Sequence, residues 1–288
     1  MIRSLLFVPG GSRRMIQRAQ ETEAEALILD LEDAVAPERK EEARQSLAQT
    51  LREVDLAPKE VFVRINGLRT PWGLEDARAA VAGGVRGIVI PKVEHPDEVT
   101  AIAAVLQGRL HREDDRQRPR ILCLIETPRG IFAARTLAES NHLVIGLMFG
   151  ASDLARALGS NLTEGEPELL YARSHLLLAA RAAEIPAYDA PSPAIEDLAA
   201  VRRHSQSSRA LGYDGKAAIH PAHLPIIHEV FSHTPEEVEE AVAIVEALTA
   251  AQAAGYGAAL HRGRMIDQVD LAEAQRLLAK IAPLPIPI

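Results

Sequence analysis

Three acidic residues follow an apolar run near the amino terminus of this 288-residue chain. The stretch ALILDLEDAVAPERKEEAR, residues 26–44, contains Asp30, Glu32 and Asp33 where the apolar residues stop. Core strands usually exclude charge because burying an unpaired carboxylate is costly. These acids therefore mark either the edge of the core or the rim of a functional site. We interpret Asp30 as the end of the core, and Glu32 and Asp33 as candidate site residues.

Two more acids, Glu126 and Asp153, follow later apolar runs, in the segments RILCLIETPRG and HLVIGLMFGASDL. If these runs are neighbouring strands, the two carboxylates converge and fit Mg²⁺, which prefers oxygen ligands and keeps several waters. Glu32 and Asp33 would then hold metal-bound waters. The alternative is helix capping, because acidic and hydroxyl side chains are favoured where helices begin. The spacing alone leaves both interpretations open.

Basic and nucleophilic residues also follow the apolar runs. Arg64 ends the run in FVRING and needs an anionic partner, which is either a structural carboxylate or a substrate carboxylate. Lys92, in PKVE, is interpreted as an ion-paired rim residue rather than a Schiff-base lysine. His220 precedes a proline, and we expect it to position other groups rather than to ligate zinc. Ser152 lies outside a G-x-S-x-G motif, which argues against a Ser-His-Asp triad.

Eight short apolar runs, each followed by a segment with helical spacing, must position these residues. Continuous apolar runs are typical of parallel strands that are buried on both faces. Eight such units predict an α/β fold of the (β/α)8 TIM-barrel class. A doubly wound open sheet is the main alternative, but its G-x-G-x-x-G fingerprint is missing. The runs are 4–8, 26–31, 61–65, 87–91, 120–126, 142–150, 185–190 and 216–220.

The chain continues beyond what the eighth barrel helix requires. We predict a barrel over residues 1–233 and a C-terminal helical extension over residues 234–288, which serves as a lid or an oligomerisation arm. Within the extension, residues 234–255 predict a long helix, followed by a glycine-containing turn and a second helix. The polar stretch HREDDRQRPR, residues 111–120, predicts a solvated loop.

Composition limits the classes of function. The net charge of −8 argues against nucleic acid as the main partner. The single cysteine, Cys123, excludes an internal disulfide framework and a multi-cysteine metal site, and its apolar surroundings predict a small buried strand residue. The chain has no apolar run of about 18 residues and no signal-like amino terminus, so we expect no membrane association and a cytoplasmic location.

The chain contains, in order, the motifs RSLLFVPG, LDLEDAVAPERKEEAR, VRING, IPKVE, IETPRGI, FGASDLARALG, GKAAIHPAHLPIIHEVF and RMID. This series, which spans nearly the whole chain, resembles the citrate lyase beta subunit and its relatives in the HpcH/HpaI aldolase superfamily, which include malyl-CoA and citramalyl-CoA lyases. The resemblance implies a (β/α)8 barrel, commonly a homotrimer, that uses Mg²⁺ to cleave or form a carbon–carbon bond next to a coenzyme A thioester. The products of cleavage would be acetyl-CoA and a 2-oxoacid.

The resemblance also implies roles for individual residues of the barrel. Glu126 and Asp153 match the metal ligands, and Glu126 also borders the substrate. Arg64 matches the arginine that contacts the substrate and the developing enolate. Glu32 and Asp33 match acids that hold metal-bound waters and contribute to catalysis.

Three further residues match positions outside this central group. Arg13 and Arg18 fall where the family binds the phosphates of coenzyme A. Asp267, in RMID, matches an aspartate on a C-terminal lid that acts as acid or base in a neighbouring subunit's site. The segment MIDQV lacks a proline that many relatives have after the position that follows this aspartate, which is a departure at the lid.

Two rival functions stay open at this point. The chain could be a subunit that acts only on citryl groups bound to an acyl-carrier subunit within a complex. It could also be a Mg²⁺-dependent aldolase acting on free 2-oxoacids, which would not need Arg13 and Arg18. The sequence does not choose among malyl, citramalyl and citryl groups.

Overall fold

The computed structural model describes residues 2–108 and 118–281, and these form two compact units. The first unit spans residues 2–231, and the second begins at Ser232. Most of the predicted loop 111–120 lies outside the described residues. Among the helices described, none has both the length and the apolar character needed to cross a membrane.

The first unit is a closed barrel of eight parallel strands in sequential order, with β8 paired to β1. The predicted TIM-barrel fold is therefore confirmed. Most of the strands consist mainly of apolar residues, as expected when both faces of a parallel strand are buried. The strands are β1 Ser4–Pro9, β2 Ala26–Asp30, β3 Glu60–Arg64, β4 Gly87–Ile90, β5 Arg120–Ile125, β6 Val144–Phe149, β7 Ala187–Asp189 and β8 Gly215–Ala218.

Helices surround the barrel, and two of them are capped by side chains that follow the strands. Ser12 accepts a hydrogen bond from the Met15 amide at the start of α1, and Thr127 accepts one from the Gly130 amide at the start of α5. The helices are α1 Arg13–Gln20, α2 Lys40–Glu53, α3 Gly73–Ala82, α4 Pro96–Gln107, α5 Pro128–Glu139, α6 Ala151–Leu158, α7 Leu170–Ala182, α8 Leu198–Leu211 and α9 Leu224–Phe231.

The barrel core consists of two apolar clusters that use alternate residues of the strands. Along β2, Ile28 belongs to the smaller cluster, whereas Leu27 and Leu29 belong to the larger one. Successive strand residues point to opposite faces, so the smaller cluster fills the barrel interior and the larger one packs against the helices. Cys123 is buried in the larger cluster, and burial raises the pKa of its thiol to about 12, as expected for an inert core residue.

Several strands end before the apolar runs that were predicted for them. The polar residues of these runs therefore lie at the ends of the strands or just beyond them. Arg64 is the last residue of β3, and Asp30 is the last residue of β2. Glu126 follows β5 directly, whereas Asp153 lies in the first turn of α6 rather than at the end of β6. A carboxylate in the first turn of a helix is stabilised by the helix dipole.

The second unit contains two helices, α10 Pro235–Ala253 and α11 Gln268–Ile281, with a short antiparallel hairpin of β9 Ala259–His261 and β10 Arg264–Ile266 between them. The sequence predicted the helices but not the hairpin. Thr234 and Glu237 form a capping box at the start of α10. The unit has its own apolar cluster, made of Ala241, Ile244, Leu248, Ile266, Leu271 and Ala274. The role of this extension as lid or arm stays a prediction.

Candidate active site

A cavity of about 320 Å³ lies at the carboxyl ends of the barrel strands, the end at which barrel enzymes place their catalytic groups. Its walls combine apolar side chains of β1, β5 and β6 with polar side chains that follow the strands. The polar side chains are those predicted from the sequence at the strand ends. The lining includes Phe7, Leu124, Met148, Asp30, Asp33, Arg64, Glu126, Ser152 and Asp153.

Arg64 is held in a fixed orientation by carboxylates at the end of β2 and in the loop that follows it. Its Nε and Nη2 donate to the two carboxylate oxygens of Asp30, each at 2.7 Å. Its Nη1 lies 3.1 Å from Glu32 Oε2 and 3.3 Å from Asp33 Oδ2. The guanidinium also stacks over the Phe7 ring, with its Cζ atom 4.9 Å from the ring centroid. A two-pronged carboxylate contact of this kind fixes the plane of the guanidinium as well as its position.

The Asp30 carboxylate also shapes the backbone that carries Glu32. It accepts hydrogen bonds from the amides of Glu32 and Ala34, at 2.9 and 3.0 Å. Lys40, buried on α2, donates to the carbonyls of Leu31 and Glu32. Asp30 is therefore more than the end of the core. The sequence interpretation missed its role as the anchor of Arg64, although its place beside Glu32 and Asp33 was a signal.

A second polar cluster supports the end of β3. Asp76, fully buried on α3, accepts hydrogen bonds from the backbone amide and the side-chain amide of Asn66, at 3.0 and 2.6 Å. Arg44 pairs with the other oxygen of Asp76 at 2.8 Å. Because Asn66 also donates to the Leu31 carbonyl, the loops after β2 and β3 are held together. Asp76 and Arg44 gave no signal in the strand-end pattern.

Lys92 lies among three carboxylates of the site. Its Nζ is 2.5 Å from Glu32 Oε1, 3.7 Å from Asp153 Oδ2 and 3.9 Å from Glu126 Oε1. Its backbone is in the left-handed region, with φ of 50°, and its amide donates to Glu126. Burial lowers the pKa of Lys92, but the surrounding acids, Glu126 first, outweigh burial and raise it. The lysine is thus an ion-paired cation, as predicted, rather than a neutral amine ready to form a Schiff base.

Glu126 is deeply buried, with 3% of its surface exposed. Burial raises the pKa of its carboxyl to about 8, and the negative charges of Glu32 and Asp153 act in the same direction against the pull of Lys92. Burial likewise raises the pKa of Glu32. A Cβ on Gly150 would lie 2.4 Å from the Cβ of Glu126, so any other residue at position 150 would displace the Glu126 side chain.

The site has the donors and the charge that a hard cation requires. The carboxylates of Glu32, Glu126 and Asp153 all face the single ammonium group of Lys92. Glu32 Oε2 is buried without a hydrogen bond, although it lies within ion-pair distance of Arg64. In the described part of the chain, no three His, Cys, Asp or Glu side chains form a complete metal site. Mg²⁺ needs no such cage, because one or two carboxylates and several waters suffice. Glu126 and Asp153 therefore fit the predicted ion.

Of the remaining predicted site residues, Arg13 and Arg18 lie apart from this cluster, and Asp267 belongs to the other unit. Arg13 and Arg18 are exposed on α1 and do not line the cavity; Arg13 forms an ion pair with Glu53. Asp267 belongs to the second unit, where its carboxylate accepts a hydrogen bond from the Val269 amide at the start of α11. The roles of all three in binding and catalysis stay predictions.

Comparison with known proteins gives consistent results. The HpcH/HpaI aldolase/citrate lyase family model matches residues 3–221. A (3S)-malyl-CoA thioesterase of Cereibacter sphaeroides is 34% identical over 278 residues, which cover 96% of this chain and 94% of the relative. The citrate lyase subunit beta of Escherichia coli K12 is 33% identical over 280 residues, covering 96% and 92% of the two chains.

A solved structure extends the comparison to the fold. The crystal structure of the protein CitE from Mycobacterium tuberculosis, in complex with magnesium, acetoacetate and coenzyme A, matches with a TM-score of 0.78 and 27% identity. The match covers 96% of this chain and 97% of that one. Together with the family model, these matches show that the chain belongs to the HpcH/HpaI aldolase/citrate lyase family.

Proposed function

We propose that the chain is a Mg²⁺-dependent carbon–carbon lyase. It would cleave or form a 3-hydroxyacyl thioester, such as malyl-, citramalyl- or citryl-CoA, with acetyl-CoA and a 2-oxoacid as the other reactants. The observation that carries the proposal is the joint placement of the acids Glu126 and Asp153 and the clamped Arg64 around one cavity. The magnesium and coenzyme A bound by the Mycobacterium tuberculosis relative support it.

Glu126 and Asp153 would hold the metal ion directly, and Glu32 and Asp33 would hold its waters. Magnesium bound there would polarise the oxygens of the 2-oxoacid portion of the substrate. Glu126 has to lose its proton for this role, since only the ionised carboxylate is a good ligand. Lys92, which now lies among these acids, offsets part of their mutual repulsion.

Arg64 would stabilise the negative charge that develops when the carbon–carbon bond breaks. A base takes the proton of the 3-hydroxyl group, the bond between C2 and C3 breaks, and its electron pair moves onto the thioester oxygen. That oxygen gains charge in the transition state, so a donor that is already oriented by Asp30 lowers the barrier. Returning the proton to C2 completes acetyl-CoA. We assign the proton transfers to Asp267, on the predicted C-terminal lid.

Arg13 and Arg18, both exposed on α1, would bind the phosphates of coenzyme A. Arg13 would exchange its ion pair with Glu53 for a phosphate, which is a small loss because the pair is exposed. We also retain the predicted homotrimer as part of the proposal, since it would bring Asp267 of one chain to the site of another.

The test is a product assay with purified protein and, separately, malyl-CoA, citramalyl-CoA and citryl-CoA, each with Mg²⁺ and with EDTA. Metal-dependent appearance of a 2-oxoacid and acetyl-CoA is the expected result. Asp267→Asn should abolish turnover but leave Mg²⁺ binding intact. Unchanged turnover in that variant would remove Asp267 from the mechanism, and no 2-oxoacid from any substrate would remove the lyase proposal.

A second candidate is hydrolysis of the thioester, because one of the relatives is a (3S)-malyl-CoA thioesterase. The same assay separates the two activities by their products. A lyase leaves the thioester bond intact in acetyl-CoA, whereas a thioesterase releases the free thiol of coenzyme A together with the hydroxy acid. The third candidate is the carrier-dependent subunit that the sequence left open, and one relative is named citrate lyase subunit beta. This candidate predicts cleavage of citryl groups on an acyl-carrier protein only.

A further inference from the structure

A second cavity, of about 450 Å³, lies at the amino ends of β3, β4 and β5, opposite the candidate active site. We call it the basal cleft. None of the residues in the proposed reaction lines it, and this end of a barrel ordinarily serves stability. Its lining comes from the end of α2 and from the segments that lead into the three strands: Leu51, Val54, Asp55, Leu56, Lys59, Glu60, Val61, Phe62, Gly83, Gly84, Val85, Arg86, Gly87, Arg118 and Arg120.

Among the residues that the structure describes, the side chains that line the basal cleft include more cations than acids. Four cationic side chains line it, at positions 59, 86, 118 and 120, against the two acids Asp55 and Glu60. Both acids are already engaged, since Glu60 pairs with Arg120 and Asp55 accepts a hydrogen bond from the Ala57 amide at 2.9 Å. The chain as a whole has a net charge of −8, so this local excess is opposite to the overall balance.

Arg86 is the least compensated of these cations. Within residues 2–108 and 118–281, its guanidinium makes no hydrogen bond and no ion pair, and its Nη1 is buried. Guanidinium groups remain charged under all ordinary conditions, so this group cannot avoid the cost by losing a proton. Burying a donor of this kind without a partner is expensive, and an anion placed against it would remove the cost.

Lys59 adds a second cation whose partners are neutral. Its Nζ donates to the carbonyls of Thr22 and Ala24, at 2.5 and 2.8 Å, and no carboxylate of the described residues lies within ion-pair distance. Carbonyls satisfy its hydrogen bonds but leave its charge uncompensated. The cleft therefore presents two uncompensated cations, on the segments that lead into β3 and β4.

We propose that the basal cleft binds a small organic polyanion, through phosphate or carboxylate groups that contact Arg86. The planar guanidinium fork matches both kinds of group, and Lys59 supplies a further point charge. Val54 and Leu56 provide an apolar wall for the organic part of such a ligand. The volume lies within the range of small-molecule sites, about 300–1,000 Å³. This site is distinct from the candidate active site and does not depend on the proposed lyase activity.

The test compares wild type with Arg86→Met in metal-free buffer, using pyrophosphate as the phosphate probe and tricarballylate as the carboxylate probe. We expect at least one probe to bind by calorimetry and to raise the Tm of the wild type. Arg86→Met should weaken that binding on the order of 10-fold or more. Without probe, the variant should melt no lower than wild type, because it loses an unpaired buried charge. Which probe binds identifies the ligand class.

Arg78→Met is the matched control, because Arg78 is an exposed arginine on α3 that pairs with Glu75 outside the cleft. It should bind the probes as the wild type does. Equal affinity in wild type and Arg86→Met would overturn the proposal, as would absence of binding to both probes at about 0.15 M salt. The last measurement is probe binding to a variant in which Glu113, Asp114 and Asp115 are changed to the corresponding amides. If binding appears only in that variant, the chain's own acids compensate the cleft, and the proposal is wrong.

Discussion

Two buried clusters of charge in the same barrel differ in how completely their charges are paired. At the candidate active site, five acids face Arg64 and Lys92, and one of them, Asp153, also pairs with the exposed Arg156; the acids are Asp30, Glu32, Asp33, Glu126 and Asp153. Between β7, β8 and their helices, the acids Asp189 and Glu166 face the cations Arg173 and Lys216.

The second cluster, which we call the β7–β8 network, is balanced and its acids are satisfied. Asp189 accepts hydrogen bonds from Arg173 and Lys216, each at 3.0 Å, and from Ser208. Burial opposes ionisation of Asp189, but Lys216 and Arg173 outweigh it and hold the pKa of the carboxyl below its usual range. At the active site the same burial wins, and the pKa of Glu126 rises. The shortage of cations, rather than depth, separates the two clusters.

This difference distinguishes a structural role from a functional one. A balanced buried network holds its helices and strands in place, and removing one partner leaves the others uncompensated. An unbalanced cluster costs stability until a cation arrives, and strongly shifted carboxyls in a cavity are typical of functional sites. Although Asp189 and Glu126 both follow the pattern of acids at strand ends, only Glu126 belongs to the candidate site.

The largest effect is expected for Glu126→Gln at the active site. Loss of a metal-binding carboxylate should lower kcat/KM by on the order of 10³-fold, because metal-based charge stabilisation supplies several kcal/mol. The Tm in EDTA should stay equal or rise, since the variant removes a buried group that repels its neighbours. Steady-state kinetics and calorimetry measure the two effects. Glu139→Gln, an exposed change on α5, is the control. A large loss of stability in Glu126→Gln would contradict the conclusion that the unbalanced active-site cluster costs stability in the absence of a cation.

In contrast to Glu126→Gln, Asp189→Asn in the β7–β8 network is expected to lower the stability of the fold. The amide keeps the shape of the side chain but leaves Lys216, which is 2% exposed, without a carboxylate. We expect the free energy of unfolding to fall by about 3 kcal/mol, measured by urea denaturation. Glu229→Gln, which breaks the exposed pair with Arg202, should cost less than about 1 kcal/mol. An equally small cost for Asp189→Asn would show that the network contributes little.

The fold and the outline of the site follow from the sequence because both depend on local patterns. Continuous apolar runs identify buried parallel strands, and the residues that follow them lie at one end of the barrel. The partners of those residues depend instead on long-range geometry. Arg64 meets Asp30 from 34 positions away, and Lys92 meets Glu32 from 60. No local pattern shows that Asp30 clamps the arginine or that Asp189 turns towards Arg173.

A smaller effect on activity is expected for Asp30→Asn, which tests the clamp on Arg64. The amide can accept from one guanidinium nitrogen only and loses the charge attraction, so the arginine is held less firmly. A displaced catalytic group of this kind costs about 10²-fold. The kcat should fall while the Kd for Mg²⁺, measured by calorimetry, stays within a few-fold of wild type. A large loss of Mg²⁺ affinity would instead place Asp30 in the metal site.

The smallest effects are changes of stability with pH. The contributions of the two clusters to stability should change in opposite directions as the pH rises. The pKa of Glu126 rises in the folded state from its usual 4.5 to about 8, so the folded protein keeps a proton that the unfolded chain loses. The stability that this proton provides is present below pH 4.5 and is lost as the pH rises towards 8. In EDTA, the Tm difference between Glu126→Gln and wild type should therefore grow between pH 5 and pH 8.

Asp189 has its pKa lowered from its usual 3.8, so its contribution is present above that pH and is lost as the pH falls below it. The Tm difference between wild type and Asp189→Asn should stay constant from pH 5 to pH 8 and shrink in stronger acid. Calorimetric scans of the three proteins over one pH series measure both trends. Parallel curves for the two variants would mean that charge balance does not separate the active site from the β7–β8 network. Saturating Mg²⁺ should reverse the trend of wild type alone, because metal binding to Glu126 becomes tighter as its proton is lost.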